Sequence, residues 1–171
     1  EIAQILKGTL LFQRLEANQL LETASVAQVS TFLENAFVYR QDDAGEGFYV
    51  VVSGEVELVL SREDGESIIV GRVGSGGHFG ETSLITGKPH SVGARAKGDL
   101  VLIWFDRQAF QEVLLGDDSI HNQMNLALAE RLRVSFRDQA DSALYAAKNA
   151  GATLSSRSDD FSYFPEEGDG T

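Results

Sequence analysis

The residues of this chain that could do chemistry are few, and most of their spacings exclude a reaction. There is no Cys and there are three His. That removes disulfides, thiolate metal sites and a cysteine nucleophile, and it fits a reducing compartment, read here as cytoplasmic. His78, His90 and His121 lack the paired spacing of a metal site. No nucleophile elbow accompanies the serines. Gly74-Ser75-Gly76-Gly77-His78-Phe79 puts Phe79 where a dinucleotide fingerprint needs its third glycine. The run from Gly80 to Gly87-Lys88 is two residues too long for a phosphate loop, and Pro89 stands where Ser or Thr would bind magnesium. The sequence therefore predicts no catalytic residue, no metal and no cofactor: not an enzyme.

The elements that must position the remaining candidates follow from punctuation. Of the 17 glycines, twelve fall between Gly45 and Gly98. A glycine-dense middle with short apolar runs reads as an all-β unit with tight turns. Strands are expected near Val29–Leu33 and Phe37–Tyr39, then Phe48–Val52 and Glu55–Leu60 across a Ser53-Gly54 turn. Ile68–Val73 should return through an Asp64-Gly65 hairpin of the type that needs positive φ at both central residues. Ser91–Lys97 and Asp99–Phe105 are expected to turn at Gly98. Asn35 tolerates a left-handed turn. The flanks read as helical: Leu6, Leu11, Phe12, Leu15, Leu20 and Leu21 before the strands, and after them a helix capped by Asp106 and ended at Gly116. A second helix starts near Asp117 with the stripe Ile120, Met124, Leu128, Leu132, Phe136, Ala140, Leu144, stopped by Gly151. From Ser155 the composition is that of an acidic linker or tail.

Charge and hydropathy narrow the partners. The net charge of −12 argues against a broad nucleic-acid surface. The longest apolar run, Leu100–Phe105, is far short of the roughly 20 residues a membrane helix needs, so no membrane contact is expected in this segment. Opening at Glu1 without a basic-then-apolar signal, the chain reads as a piece of something longer.

One segment stands apart: Phe79-Gly-Glu-Thr-Ser-Leu-Ile-Thr-Gly-Lys-Pro-His-Ser-Val-Gly-Ala-Arg-Ala96. It resembles the phosphate-binding cassette of the cyclic-nucleotide-binding domain family. That pattern runs Phe-Gly-Glu, a variable residue, Ala-Leu, a short spacer, then Pro-Arg and small residues. Ser53-Gly54-Glu55-Val56 resembles the family's strand turn, and Leu102–Phe110 its exit strand and following helix, so the resemblance spans residues 5–135. It implies a mainly β fold with flanking helices, an antiparallel, jelly-roll-like β-roll. The implied layout is an N-terminal helical segment and first strand (1–36), a roll (37–106) with the cassette at 79–96, C-terminal helices (107–150) and an acidic tail (151–171).

The resemblance also implies roles. Gly80 would allow close approach, Thr82 and Ser83 would offer backbone N–H groups to a cyclic phosphate, Glu81 would accept the ribose 2′-hydroxyl, and Ser91 would donate to the phosphate. The family's phosphate-pairing Arg is His90 in this chain. An Arg supplies a permanent bidentate charge, whereas His is shorter and mostly neutral at neutral pH. Losing one charge-assisted pair costs about 1.5–3 kcal/mol, on the order of 10–100-fold in affinity. Val92 and Gly93 also depart from the small-then-polar pattern. The expected function is a regulatory ligand-sensing domain in a larger signalling or transport protein, with weakened or altered binding of cAMP or cGMP. The rival is a module of the same fold that binds no nucleotide and serves in protein interaction or dimerisation, with the Ile120 stripe as dimer or domain seam. DNA binding within the chain is not expected, because residues 137–171 are too short and acidic for a helix-turn-helix. Ala140–Gly151 is also similar to the ending of diguanylate cyclase domains, without that family's active-site loop upstream.

Overall fold

The structure is a computed structural model and describes residues 1–122 together with 125, 126 and 129. Residues 1–126 form one compact unit, and every element named here belongs to it. Two short helices lead, α1 (Ile2–Lys7) and α2 (Ala17–Ser25). Six strands follow: β1 (Gln28–Phe32), β2 (Phe37–Tyr39), β3 (Gly47–Ser61), β4 (Ser67–Gly74), β5 (His78–Phe79) and β6 (Gly93–Asp106). A helix α3 (Glu81–Thr86) sits between β5 and β6, and α4 (Arg107–Ala109) runs into a π-helical turn over Phe110–Leu114.

All pairings are antiparallel, in the order β1-β6-β3-β4, with β2 also on β6 and β5 also on β3. The two long strands carry both layers of the roll. The first half of β3 pairs the second half of β6, flanked by β1 and β5. Its second half pairs the first half of β6, flanked by β2 and β4. This corrects two expectations. Ser53-Gly54 and Gly98 do not separate strands: each is a kink inside one continuous strand, with left-handed Gly54 (φ +92°) and Gly98 (φ +81°) and register shifts around Ser53. A Cβ on Gly54 would collide with the Asp99 carbonyl, so only glycine lets the two bends approach.

The Asp64-Gly65 hairpin joins β3 to β4, with a different turn from the one expected. Only Gly65 is left-handed (φ +85°). The loop closes through Gly65 N donating to Arg62 O at 3.1 Å and Arg62 N to Glu66 O at 2.8 Å. Asn35 is left-handed (φ +67°) as its side chain suggested. Asp106 caps the exit helix, accepting from Ala109 N at 2.8 Å, but after one turn the helix widens to π, with Leu115 N reaching Phe110 O at 2.9 Å.

The strands alternate faces, and two cores result. Val51, Val56, Phe79, Ala94, Ala96, Leu100 and Leu102 fill the roll. On the outer side Phe48, Val50, Ile103 and Phe105 pack against Leu6, Phe12, Leu20, Phe110, Leu114 and Ile120 from the flanking helices. Each fully buried Leu or Phe stabilises by about 1.5–3 kcal/mol, so this second core fastens the helices to the roll. Ile120, the first residue of the expected docking stripe, is 1% exposed and belongs to this core. Its remaining members, Met124 to Leu144, lie outside the described residues, as do Gly151, the acidic tail and the 140–151 segment.

Candidate functional site

The cassette begins where β5 hands over to α3. Gly80 is left-handed (φ +90°) and caps the helix. A Cβ there would lie 2.8 Å from Gly47 O and 2.9 Å from the Tyr49 ring, so the chain passes close under β3 and enters α3 at once. Gly87 closes the helix in the same conformation (φ +70°), its N–H donating to Ser83 O at 3.0 Å. Leu84 anchors the helix in the outer core. Ser83 donates its hydroxyl to Lys88 O, which fixes the turn that brings the chain back. The first-turn N–H groups of a helix have no acceptor within it, which leaves those at Glu81–Ser83 directed out of α3.

Glu81 is completely buried. Its Oε2 lies 3.6 Å from His78 Nδ1, between the end of β5 and the start of α3. The His78 side chain is only 13% exposed because β5 pairs into the roll, beside Phe48.

His90 is buried too, at 6% exposure. Its backbone is clasped by the loop after β2. Asp42 N donates to His90 O at 2.8 Å, and His90 N donates to Asp43 O at 2.9 Å. Asp42 takes a left-handed φ of +69° to make this clasp, and Arg40 N donates to Asp43 Oδ2 at 2.8 Å. The imidazole lies flat on Tyr39, with ring centroids 3.5 Å apart and planes 5° from parallel. Tyr39 in turn touches Tyr49 and Phe79, which stack on each other at 5.1 Å. Burial holds the His90 pKa below its usual value, with Asp43 pulling partly back. Burial, helped by the charge of Glu46, raises the Tyr49 phenol.

Of the six residues singled out in the sequence, Gly80, Glu81, Thr82 and Ser83 are brought together at the start of α3. His90 and Ser91 follow on the returning chain. Glu81, Ser83 and His90 are buried; Thr82 and Ser91 are exposed. Tyr39, His78, Asp43 and Gly45 join them without a local sequence signal. Gly45 packs so tightly on Ser83 that a Cβ would sit 2.6 Å from its Oγ, and its carbonyl accepts from Arg107. Arg95 does not stand in for the missing arginine: it reaches Glu57 at 3.2 Å. Glu57 also lies 3.6 Å from Arg72, while Glu55 faces Arg72 and Lys97. An open cleft of about 420 Å³ lined by Phe37, Arg40, Val59, Arg62 and Gly93 contains none of the six residues, though its Asp42 is the one bonded to His90. Among the described residues no cluster of three His, Asp or Glu could hold a metal ion, and no helix is long and apolar enough to cross a membrane.

Known proteins share this fold. The fold matches the regulatory domain of Toxoplasma gondii PKA solved with cAMP (TM-score 0.68, 22% identity, 75% of this chain and 49% of that one). It matches the Thermus thermophilus catabolite activator protein (TM-score 0.69, 26% identity, 75% of this chain and 60% of that one). A regulatory subunit of a cAMP-independent protein kinase A from Trypanosoma cruzi, bound to guanosine, is similar as well (TM-score 0.61, 19% identity, 75% of this chain and 48% of that one). The chain thus spans about half the length of the two kinase regulatory proteins. The sequence model of the cyclic nucleotide-binding domain matches residues 29–117, just over half of the chain. With an antiparallel roll, a cassette helix between β5 and β6, and that match, the chain belongs to the cyclic nucleotide-binding domain family.

Proposed function

We propose that this chain is the ligand-sensing module of a larger cytoplasmic signalling or transport protein, holding a nucleotide-type ligand at the cassette and passing its occupancy to an attached output domain or a second copy. The observation that carries this reading is the clasped cassette: a left-handed Gly80, a buried Glu81 in the first turn of α3, and a returning chain tied back at His90 to Asp42 and Asp43. Glu81 accepts ribose hydroxyls, Gly80 permits close approach, and the amides of Thr82 and Ser83 with Ser91 face the phosphate side. Binding of cAMP or cGMP is weakened or altered in this reading, because the residue that matches the family's phosphate-pairing arginine is His90, whose imidazole stacks on Tyr39. The role is regulatory, and chemistry on the ligand is not part of it. Two fold neighbours are described with cAMP and with guanosine respectively, so a roll of this kind accommodates both a cyclic nucleotide and a nucleoside.

The rival reading, an interaction module without nucleotide, is favoured by one feature: Ile68, Ile69 and Val70 are all exposed on β4, an edge strand. Calorimetric titration with cAMP, cGMP and cyclic dinucleotides separates the two. Saturable binding of any of them supports the sensing role. Absence of heat from all of them supports the interaction module.

A further inference from the structure

We propose that the cleft between the loop after β2 and the start of the Asp64-Gly65 hairpin is a second ligand site, for a dipolar small molecule of the amino-acid class. Such a ligand carries a carboxylate and an ammonium at one end and an apolar side chain at the other. The inference goes beyond the sensing role and does not depend on it. The cleft measures about 420 Å³ and lies apart from the cassette residues, and its volume falls among those of natural ligand pockets.

Its floor is apolar, and a glycine makes it. Val59 is 2% exposed, and Phe37 lies against Gly93, where a Cβ would sit 3.2 Å from the ring. Gly93 stands where the family's cassette pattern has a polar residue; the cassette does not account for that departure, and the packing of Phe37 does. The walls are tied down. Gln41 Oε1 accepts from Ser61 N at 2.7 Å, Asp43 Oδ2 accepts from Arg40 N at 2.8 Å, and Asp42 N donates to His90 O at 2.8 Å. Walls held in this way cost a ligand little ordering.

Four charges stand around that floor: Arg40 and Arg62, with Asp42 and Glu63. None of the four forms an ion pair among the described residues. Arg40 instead lies over the Phe37 ring, 4.2 Å from its centroid. A simple anion would be drawn by the two guanidiniums and repelled by the two carboxylates, and a simple cation would meet the reverse. A ligand bearing both charges engages both sets. Its carboxylate takes guanidinium N–H bonds, its ammonium faces the carboxylates, and an apolar side chain on Phe37 and Val59 leaves water.

The test is a titration of the full chain at neutral pH, followed in amide ¹H–¹⁵N spectra, with L-phenylalanine and L-leucine as probes. At least one should give saturable shifts, at millimolar concentration, at the amides of Gln41, Asp42, Ser61, Arg62 and Gly93. N-acetylation of that amino acid removes its cation, and conversion to the amide removes its anion. Each derivative should bind at least about two- to fivefold more weakly, the range that exposed ion pairs give. Arg40→Gln should weaken the amino acid and its N-acetyl form by a similar factor and spare the amide. Glu63→Gln should weaken the amino acid and its amide and spare the N-acetyl form. Derivatives that bind as tightly as the amino acid, or variants whose losses ignore the ligand's charge, overturn the ligand class. Saturable shifts only outside the cleft, or none with either probe, overturn the site. The wild-type comparison of the three forms decides the question even if a variant does not fold, and none of these results bears on the cassette.

Discussion

Replacing Gly80 by Ala puts a methyl group where the chain passes under β3, and the cost can be worked out from the structure. The position has φ +90°, a conformation that costs an L-residue about 1–2 kcal/mol. The new Cβ would also meet Gly47 O at 2.8 Å and Tyr49 Cδ2 at 2.9 Å. One is backbone and the other is the inner part of a packed ring, so neither yields cheaply, and overpacking of this kind costs about 1–3 kcal/mol. Together the loss is about 2–5 kcal/mol. Gly87 at the other end of α3 is the control: it is also left-handed, but a Cβ there meets nothing within 4 Å. Gly87→Ala should therefore cost only the conformational part, about 1–2 kcal/mol. Both substitutions reduce the entropy of the unfolded chain equally, so that contribution cancels in the comparison. Urea unfolding of the two variants should show the Gly80→Ala midpoint well below that of Gly87→Ala, with unchanged slope. Equal losses, or a larger loss at Gly87, would refute the close passage under β3.

Two further outcomes concern charge. His90 titrates below its unfolded value because it is buried. Its contribution to stability is therefore complete above the unfolded pKa of about 6.5 and is lost as pH falls from there through the lower folded value. His90→Gln should flatten that limb of the stability profile measured by urea unfolding, and an unchanged limb would show that another group titrates there. Glu57 joins Arg72 and Arg95 across three strands with its side chain only 10% exposed. Glu57→Ala should cost about 1.5–3 kcal/mol, the range for bonds to charged groups, whereas Glu55→Ala, with a carboxylate far more open to solvent, should cost less than about 1 kcal/mol. Thermal unfolding gives the order directly, and a reversed order would contradict the assigned network.

The Asp64-Gly65 hairpin was legible because its signal is local, a turn between apolar runs, and the cassette was legible because the order and length of residues 79–96 resemble a known family's. The same local logic failed at Gly54 and Gly98. A left-handed glycine reads as a turn in sequence, yet here the partner strand continues past it, so it bends one strand instead of ending it. Gly65 shows a related limit, since the dipeptide marks a hairpin without fixing which residues go left-handed. The environment of the site was hidden for a different reason. Tyr39 reaches His90 across some 50 positions of sequence through the pairing of β2 with β6. His78 reaches Glu81 because β5 is drawn into the roll by β3. Ile120 fits a helical stripe, and nothing in its spacing told that this first residue faces the roll's own outer core.

If the ligand is held by the cassette, the place of binding can be read residue by residue. Amide ¹H–¹⁵N spectra of the full chain, recorded while guanosine and, separately, cGMP are added, report it directly. Binding at the cassette should give saturable shifts at the backbone amides of Gly80, Glu81, Thr82 and Ser83 and at Ser91, with those of the Asp42–Asp43 clasp following. Shifts confined to the cleft between Arg40 and Arg62, or spectra unchanged by both ligands, would contradict it.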